Sequence, residues 1–459
     1  MAVTASKIMD SSCSGLPVSA STLNTWFALR ERGTTCQREL VAGLATFMTM
    51  AYIIFVNPAV LAGAGMPAAA VIAATCLGAA LPTLAMGFWA NYPFALASGM
   101  GLNAALVAAA TQPDLTWQTM MGVIVVEGAL VTLFVLTGVR EAVMQAIPMN
   151  LKRAIGAGIG LFIAFLGLQQ MGWVVKGAGG ALLAQGDFAA KPTLAATAGV
   201  ALLVTLLACR VRGAILLGIL GTAILAGIGD ALAPGAARLV HLPDHLVALP
   251  DFSTFGHADV RGALRPALIG TIFAFMITDF FDTMGTVIGI GGQAGFLDAR
   301  GNLPRLKRVL LVDSLAAVWG GWCGASSVTT YVESAAGVSE GGRTGLVSVV
   351  VGLLFLLAMF FSPLIGTVPA VATAPALLVV GFLMVSVVRE MDLSTAEDGL
   401  PAFLTLLVIP MTQSISCGIG VGFIAQVVVK VLRGHGREIS PWLYAIAALF
   451  ALSFAFGKS

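Results

Sequence analysis

Runs of about 20 apolar residues recur along this sequence, and they decide what the chain can fold into. A helix needs about that many apolar residues to cross the hydrocarbon core of a bilayer. Apolar residues make up 58% of the 459 residues and charged residues only 10%, too little polar surface for a soluble protein of this length. The sequence therefore predicts an all-α polytopic membrane protein whose surroundings are the lipid bilayer.

Fourteen segments are candidates for crossing the membrane, seven on each side of a polar connector at 234–262. They lie at roughly 41–62, 69–90, 93–111, 117–137, 154–173, 193–209, 213–233, 264–290, 305–322, 326–341, 344–362, 370–388, 400–415 and 417–432. The C-terminal segment at 434–459 contains a further apolar stretch, 442–456. This stretch is short for a crossing, and we expect it at the membrane interface or against the bundle.

Basic residues predict the orientation, because Lys and Arg concentrate in cytoplasmic loops. They occur in the N-terminal segment 1–40 and then on alternate connections, at Lys152 and Arg153, Arg210 and Arg212, 300–308 and 430–437. The pattern predicts a cytoplasmic N-terminus, an extracytoplasmic connector and a location in the cell membrane. It holds only if 400–432 forms two short spans broken near Ser414–Gly418.

The two halves, 41–233 and 263–433, are predicted to be inverted repeats, because seven spans per half reverse the second copy. The third span of each half, 93–111 and 326–341, starts with an extended-looking stretch and continues as a Gly/Ala-rich helix. Irregular backbone inside a membrane requires cover by protein or a water-filled cavity. Two such segments in matching positions indicate a transporter's binding site. The alternative is a pair of ordinary Gly-rich packing helices.

Five acidic residues fall in the interior of the predicted spans, Glu127, Asp279, Asp282, Asp313 and Glu333, whereas the Lys and Arg residues within the span bounds lie near the span ends and His is absent. A carboxylate at the centre of a membrane helix costs about 2.5–3.5 kcal/mol, so each needs a partner, water or a proton. Asp279 and Asp282 share one helix face because they are three residues apart. Protons, a cation or the N–H groups of a substrate are the available neutralisers, which indicates a proton-coupled site. The alternative is that one of these aspartates only bonds a neighbouring helix.

Glu333 and Asn103 occupy matching places, where the extended part of each third span gives way to a helix. The N–H groups at such a helix start favour a negative charge, so Glu333 can stay ionised and accept hydrogen bonds from a ligand. The Asn103 amide can both donate and accept. Glu127 and Asp313 lack this setting, and we expect structural roles for them.

Several functional classes are disfavoured by the rest of the sequence. The net charge of +2 gives no reason to expect nucleic acid as a partner. Six cysteines and four histidines show no metal-ligand spacing, so we expect no metal and no cofactor. The sequence contains no HExxH motif, and its GxSxG match at 337–341 falls at the end of a predicted span and not at a turn from a strand into a helix, so an intramembrane enzyme is disfavoured. A channel is a further alternative, but a buried site between two halves suits alternating access better.

Four long stretches are similar to known transporters. Residues 31–58 read ERGTTCQRELVAGLATFMTMAYIIFVNP, and ASGMGLNAA, DFFDTMGTVIG and TTYVESAAGVSEGGRTGL follow at 97–105, 279–289 and 329–346. In content and order they resemble the adenine/guanine/hypoxanthine permease branch of the nucleobase–cation symporter family, over about residues 30–433. Relatives specific for uracil or xanthine carry Glu at the span-eight position, so DFFDT favours the purine branch.

The resemblance implies a uracil-transporter-like fold of 14 transmembrane segments in two inverted seven-span repeats, with short strands and half-helices in spans 3 and 10. It implies a core domain at 41–137 plus 263–362 and a gate domain at 150–233 plus 367–433. It further implies import of a purine nucleobase with a proton, by alternating access, and a homodimer as the assembly.

The resemblance also implies roles for single residues. Asp279 and Glu333 would contact the base, and Gly101 and Asn103 match the substrate-proximal glycine and asparagine of span three. Asp282 would lie beside them and, with Asp279, carry the proton. The choice among adenine, guanine and hypoxanthine, and between proton and sodium, stays open. An anion carrier of the sulfate or bicarbonate type is the competing transporter, although an anion site does not suit neighbouring carboxylates.

Overall fold

Helices make up most of the computed structural model, which describes residues 25–110, 115–138, 147–177, 182–211, 213–232, 238–240, 243, 245–298 and 303–456. Residues 1–24 of the predicted N-terminal segment lie outside the described residues, as do parts of the predicted connector and the basic residues Arg212 and Arg300. Within the described ranges, ten helices are long and apolar enough to cross a membrane. The polytopic helical architecture is thereby confirmed.

The described residues of the first half contain eight α-helices and three short strands. They are α1 (Cys36–Met50), α2 (Ile53–Leu61), α3 (Ala68–Ala85), β1 (Leu96–Ser98), α4 (Met100–Ala110), α5 (Trp117–Thr137), α6 (Met149–Gln170), β2 (Val174–Lys176), β3 (Leu183–Gln185), α7 (Lys191–Ala208) and α8 (Ala214–Leu232). Strands β2 and β3 form an antiparallel hairpin that the sequence did not predict.

In the second half, the part of the chain that the structure describes contains ten α-helices and one strand. They are α9 (Val260–Ala263), α10 (Ile269–Gln293), α11 (Leu306–Cys323), β4 (Val328–Thr330), α12 (Ser334–Ser339), α13 (Gly345–Ala358), α14 (Ser362–Ile365), α15 (Ala370–Val385), α16 (Ala396–Thr412), α17 (Ile415–Leu432) and α18 (Pro441–Phe456).

Four of the fourteen predicted spans are not among the ten long apolar helices of the described residues. Two of them are the interrupted segments, whose helices α4 and α12 have 11 and 6 residues. Helix α11 carries Lys307, Arg308 and Asp313, and α16 has only 17 residues and begins with two acidic ones. Fourteen spans in two inverted repeats therefore stay a prediction.

The two interrupted segments meet each other in a buried two-stranded sheet. Strand β1 pairs antiparallel with β4, in the register Leu96↔Thr330, Ala97↔Thr329 and Ser98↔Val328. The pairing supplies hydrogen bonds to backbone groups that neither water nor a continuous helix could satisfy at this depth. Helix α4 follows β1, and the short helix α12 follows β4, so the expected strands and half-helices are present.

Asp313 fixes this sheet to the surrounding helices. Its carboxylate accepts hydrogen bonds from the backbone N–H and the hydroxyl of Thr330, both at 2.9 Å, and from the Thr283 hydroxyl at 2.6 Å. Glu127 on α5 similarly accepts a bond of 3.1 Å from the Ser327 hydroxyl, next to β4. Both acidic residues therefore join elements of the bundle, which agrees with the structural roles predicted for them.

Helices α6 and α15 pack closely through small residues. A Cβ atom added to Gly160 would lie 2.8 Å from the backbone oxygen of Gly381, and one added to Gly167 would lie 3.0 Å from that of Ala374. Small residues of this kind let membrane helices approach each other at the backbone. The two helices therefore form one tightly packed pair.

The chain breaks between α16 and α17, as the charge pattern required. Gln413 has a left-handed φ of 53°, and the Ser414 side chain accepts a hydrogen bond from the Cys417 N–H at the start of α17. Helix α18 then packs against the bundle, where Phe450 is fully buried and stacks on Phe423 with 6.0 Å between the ring centroids. Of the two placements expected for 442–456, packing against the bundle is the one observed.

Candidate functional site

A cavity of about 510 Å³ lies between two groups of helices. This volume falls within the range of about 300–1,000 Å³ that is usual for small-molecule sites. One wall, which we call the acidic wall, comes from the β1–α4 region, from α10 and from the residues before α12: Gly99, Gly101, Leu102, Thr278, Asp279, Asp282, Thr286, Val332 and Glu333. The opposite wall, which we call the facing wall, comes from α6, α15 and the turn after α15: Lys152, Ile155, Gly156, Ile159, Val380, Leu383, Met384 and Val387.

All three predicted carboxylates of the site, Asp279, Asp282 and Glu333, lie on the acidic wall. Asp279 is fully buried, Glu333 is partly exposed, and Asp282 is exposed. Because α10 makes one turn in 3.6 residues, Asp279 and Asp282 follow each other along the same face of this helix. The carboxylates therefore range from a buried position to one that is accessible from the cavity.

Glu333 is oriented by a tyrosine that the sequence did not single out. Glu333 lies immediately before α12, and its side chain makes no capping hydrogen bond with that helix. Instead, the hydroxyl of Tyr52 donates to Glu333 Oε1 at 2.8 Å. Tyr52 is 2% exposed and lies between α1 and α2. A hydrogen bond from a buried neutral donor to a carboxylate holds the carboxylate in place and contributes about 1.5–3 kcal/mol.

Gly101 lies close to the facing wall. It lines the cavity in the first turn of α4, and an added Cβ would lie 2.5 Å from Cγ2 of Ile159 on the facing wall. A larger residue would therefore push the walls apart. The first turn of α4 also offers backbone N–H groups that have no partner within the helix.

Asn103 does not belong to the lining of this cavity. Its side chain is fully buried, donates to Asn57 Oδ1 at 2.6 Å and accepts from the Ser98 hydroxyl at 3.3 Å. Asn57 in turn donates to Thr75 Oγ1 at 2.8 Å and to the Ala325 carbonyl at 3.1 Å. Two residues along a helix turn the side chain through about 200°, so Asn103 and Gly101 face nearly opposite sides of α4.

The predicted spans left Lys152 outside any helix, and the structure has it within one. Helix α6 begins at Met149 rather than near residue 154, so Lys152 and Arg153 are part of it, and Lys152 lines the cavity. The predicted start of this span, residue 154, was too late because the prediction followed hydropathy. Two adjacent cations, Lys152 and Arg153, lower the hydropathy although the helix includes them. The other lining residues of the facing wall are apolar or glycine.

The cavity therefore combines hydrogen-bond acceptors on one wall with an apolar surface on the other. Such an arrangement suits a flat, uncharged molecule that has N–H donors along its edge and an apolar ring face. The hydroxyl of Thr278 already donates to the Ala274 carbonyl at 2.8 Å, which leaves its oxygen as a further acceptor. A small anion would face three carboxylates, which repel it.

One cluster among the described residues has metal-ligand geometry, and it is separate from the cavity lining. Side-chain atoms of Glu397, His435 and Glu438 lie within 4.8 Å of one another near the ends of α16 and α17. His435 and Glu438 are exposed, and Glu397 is already bound to His435 Nδ1 at 3.0 Å. An ion pair explains this cluster, and we assign no metal to it.

Comparison with known proteins gives consistent matches. The family model Xan_ur_permease, described as a permease family, matches residues 37–421. The adenine permease AdeP of Escherichia coli is 41% identical over 433 residues, which cover 94% of this chain and 95% of that protein. The guanine/hypoxanthine permease PbuO of Bacillus subtilis is 40% identical over 431 residues, which cover 92% of this chain and 98% of that protein.

A solved structure shares the fold at low sequence identity. The transmembrane domain of the cyanobacterial bicarbonate transporter BicA superposes with a TM-score of 0.60 at 16% identity, covering 83% of this chain and 97% of that one.

The bond between Tyr52 and Glu333 can be tested by a double-mutant cycle on thermal stability. Tyr52→Phe removes only the hydroxyl, and we expect it to lower the stability of the purified protein by about 1.5–3 kcal/mol. In a Glu333→Ala background the same substitution should have little further effect, because its partner is already gone. Melting midpoints of the four proteins in detergent measure this coupling. Equal losses in both backgrounds would contradict it.

Proposed function

The chain belongs to the permease family whose model matches residues 37–421, and from this premise we propose that it imports a purine nucleobase, adenine, guanine or hypoxanthine, by proton symport with alternating access. Relatives at about 40% identity over nearly the whole chain carry the names adenine permease and guanine/hypoxanthine permease, which supports a purine base as the substrate. The single observation that carries the proposal is the cavity with Asp279 and Glu333 opposite an apolar wall.

In this proposal the base lies between the acidic wall and the facing wall. Asp279 and Glu333 accept hydrogen bonds from its N–H groups, and the backbone at Gly101 meets its edge. Ile159 and Val380 on the facing wall cover a ring face. Asn103 supports the site without touching the base, because its hydrogen bonds to Asn57 and Ser98 fix the junction of β1 and α4. Direct contact between Asn103 and the base would require its amide to leave Asn57.

Asp282 carries the coupled proton in this proposal, together with Asp279. It is the carboxylate that is most accessible from the cavity, and it lies one helical turn from Asp279. If protonation and base binding both favour the same state of the carrier, each raises the affinity for the other, because linkage is reciprocal. Transport of the proton and transport of the base are then coupled, although the proton site and the base need not touch.

Alternating access in this proposal follows the division into core and gate domains. The acidic wall belongs to 41–137 and 263–362, the core, and the facing wall belongs to 150–233 and 367–433, the gate. The cavity extends to Lys152 near the start of α6 and to Val387 just after α15. The bias of basic residues toward cytoplasmic loops supports a cytoplasmic position for these two ends. We therefore take this conformation as inward-facing, with a cytoplasmic N-terminus, fourteen spans in two inverted repeats, and a homodimer as the assembly.

An anion transporter is the second candidate, because the fold is shared with a bicarbonate transporter. At 16% identity this likeness concerns the fold alone. Three carboxylates on one wall oppose the binding of an anion, whereas they favour a molecule with N–H donors. The chemistry of the cavity therefore favours the purine.

The substrate can be tested with protein reconstituted in liposomes. We expect uptake of a labelled purine base that an inward proton gradient accelerates and that adenine, guanine or hypoxanthine inhibits, but bicarbonate and sulfate do not. Glu333→Gln should abolish binding, because an amide replaces the acceptor. Glu340→Gln, a matched change beyond α12 and outside the cavity lining, should behave as wild type. Normal transport by Glu333→Gln would refute the site, and competition by anions alone would favour the second candidate.

The role of Asp282 predicts a different phenotype. Asp282→Asn keeps the shape of the side chain but can no longer exchange a proton. We expect base binding within a few-fold of wild type and uptake that hardly responds to the proton gradient. Binding of a labelled base in detergent and uptake at several imposed pH differences measure the two properties. An unchanged dependence on the gradient would count against Asp282 as the proton carrier.

A further inference from the structure

We propose that Lys152 is the counter-charge of the empty carrier: after base and proton have left, its ammonium pairs with the ionised Asp282 across the cavity. The inference rests on the proposed function and extends it to the step in which the unloaded protein returns. It assigns a residue of the facing wall to coupling, whereas the carboxylates of the acidic wall bind the base and the proton.

The first observation is the position of Lys152. Among the described residues that line the cavity, it is the one basic side chain. The charged groups that face it from the acidic wall are Asp279 and Asp282 on α10 and Glu333 before α12, and the lining residues of α15 carry no charge. Lysine has a flexible four-carbon stem and a compact ammonium, so it can follow a carboxylate across a gap.

The second observation is that the neighbours of Lys152 bind elsewhere. Arg153 pairs with Glu390 Oε2 at 3.0 Å and donates to the Glu390 carbonyl at 2.5 Å. Asn150 donates to the backbone oxygens of Asp392 and Asp398. These bonds fix the start of α6 to the segment that follows α15 and to the start of α16. Lys152, held between these two neighbours in sequence, is the one of the three that faces the cavity.

The third observation is that Lys152 does not stabilise its own helix. It lies in the first turn of α6, where the positive end of the helix dipole disfavours a cation. Helix formation therefore does not account for a basic residue at this position, which lines the same cavity as three carboxylates.

The electrostatic consequence concerns only one step of the cycle. A bound proton neutralises Asp282 while the carrier is loaded, so Lys152 has little to offset. When the proton leaves, a negative charge remains between apolar helices, where it is costly. An ammonium brought close to this charge offsets that cost, since opposite charges attract strongly at an effective dielectric constant of about 20. Removing Lys152 therefore impairs formation of the empty carrier.

Two transport assays separate this step from the others. Exchange of labelled for unlabelled base across the liposome membrane uses only the loaded carrier. Net uptake driven by a proton gradient also requires the empty carrier to form and return. For Lys152→Met we expect net uptake to fall about tenfold, whereas exchange and base binding stay within about twofold of wild type. Lys152→Arg keeps the charge and should retain net uptake.

Arg153→Gln is the matched control. It removes a cation from the next residue, whose partner Glu390 is 65% exposed, so little stability is lost. Net uptake and exchange should both stay near wild type. Melting curves of all variants exclude a general loss of folding.

The outcomes are distinct. Net uptake unchanged in Lys152→Met overturns the inference, and so does a parallel loss of net uptake, exchange and binding, which would place Lys152 in contact with the base. Equal effects of Arg153→Gln would mean that cytoplasmic charge in general is responsible, and this also overturns it. If wild-type protein neither binds nor exchanges any purine base, the proposed function fails, and the inference fails with it.

Discussion

A carboxylate inside a membrane protein must be met by a hydrogen-bond donor, a proton, an opposite charge or water, and the rest of this structure depends on how that need is met. Asp313 is met by Thr283 and Thr330, which ties the buried sheet to the helices. Glu333 accepts a hydrogen bond from the Tyr52 hydroxyl and also lines the cavity. The same residue type therefore has two uses: where protein donors surround the carboxylate it joins elements, and where it lines the cavity it is available to a ligand and to protons.

The interrupted spans explain why the cavity is where it is. Strands β1 and β4 form backbone hydrogen bonds with each other inside the bundle, and each strand is followed by a helix at the edge of the same cavity. The facing wall comes from continuous helices, and Gly160 and Gly381 allow α6 and α15 to pack closely as one pair. One wall carries the polar groups and the opposite wall is largely apolar, which suits a carrier in which one part moves against the other. Gly101 on the first wall lies so close to Ile159 on the second that an added Cβ would be 2.5 Å from Cγ2 of Ile159.

Much of the fold and of the acidic wall could be predicted from sequence, because long apolar runs and acidic residues within them are local signals. The break at Gln413 followed from loop charges, and the two half-helices from their atypical composition. Side-chain directions and long-range partners were not predictable. The correspondence between Asn103 and Glu333 could not show that Asn103 points away from the cavity, nor could the sequence pair Tyr52 with a residue 281 positions later. Lys152 was missed because hydropathy places a helix start after its cations.

The central claim is that an uncharged base binds between the two walls, with its N–H groups on Asp279 and Glu333. A structure of the protein in lipid nanodiscs with a bound purine base tests this most directly. The account predicts planar density within hydrogen-bonding distance of both carboxylates, with one ring face against Ile159 or Val380. Density outside this cavity, or inside it but away from both carboxylates, would contradict the account.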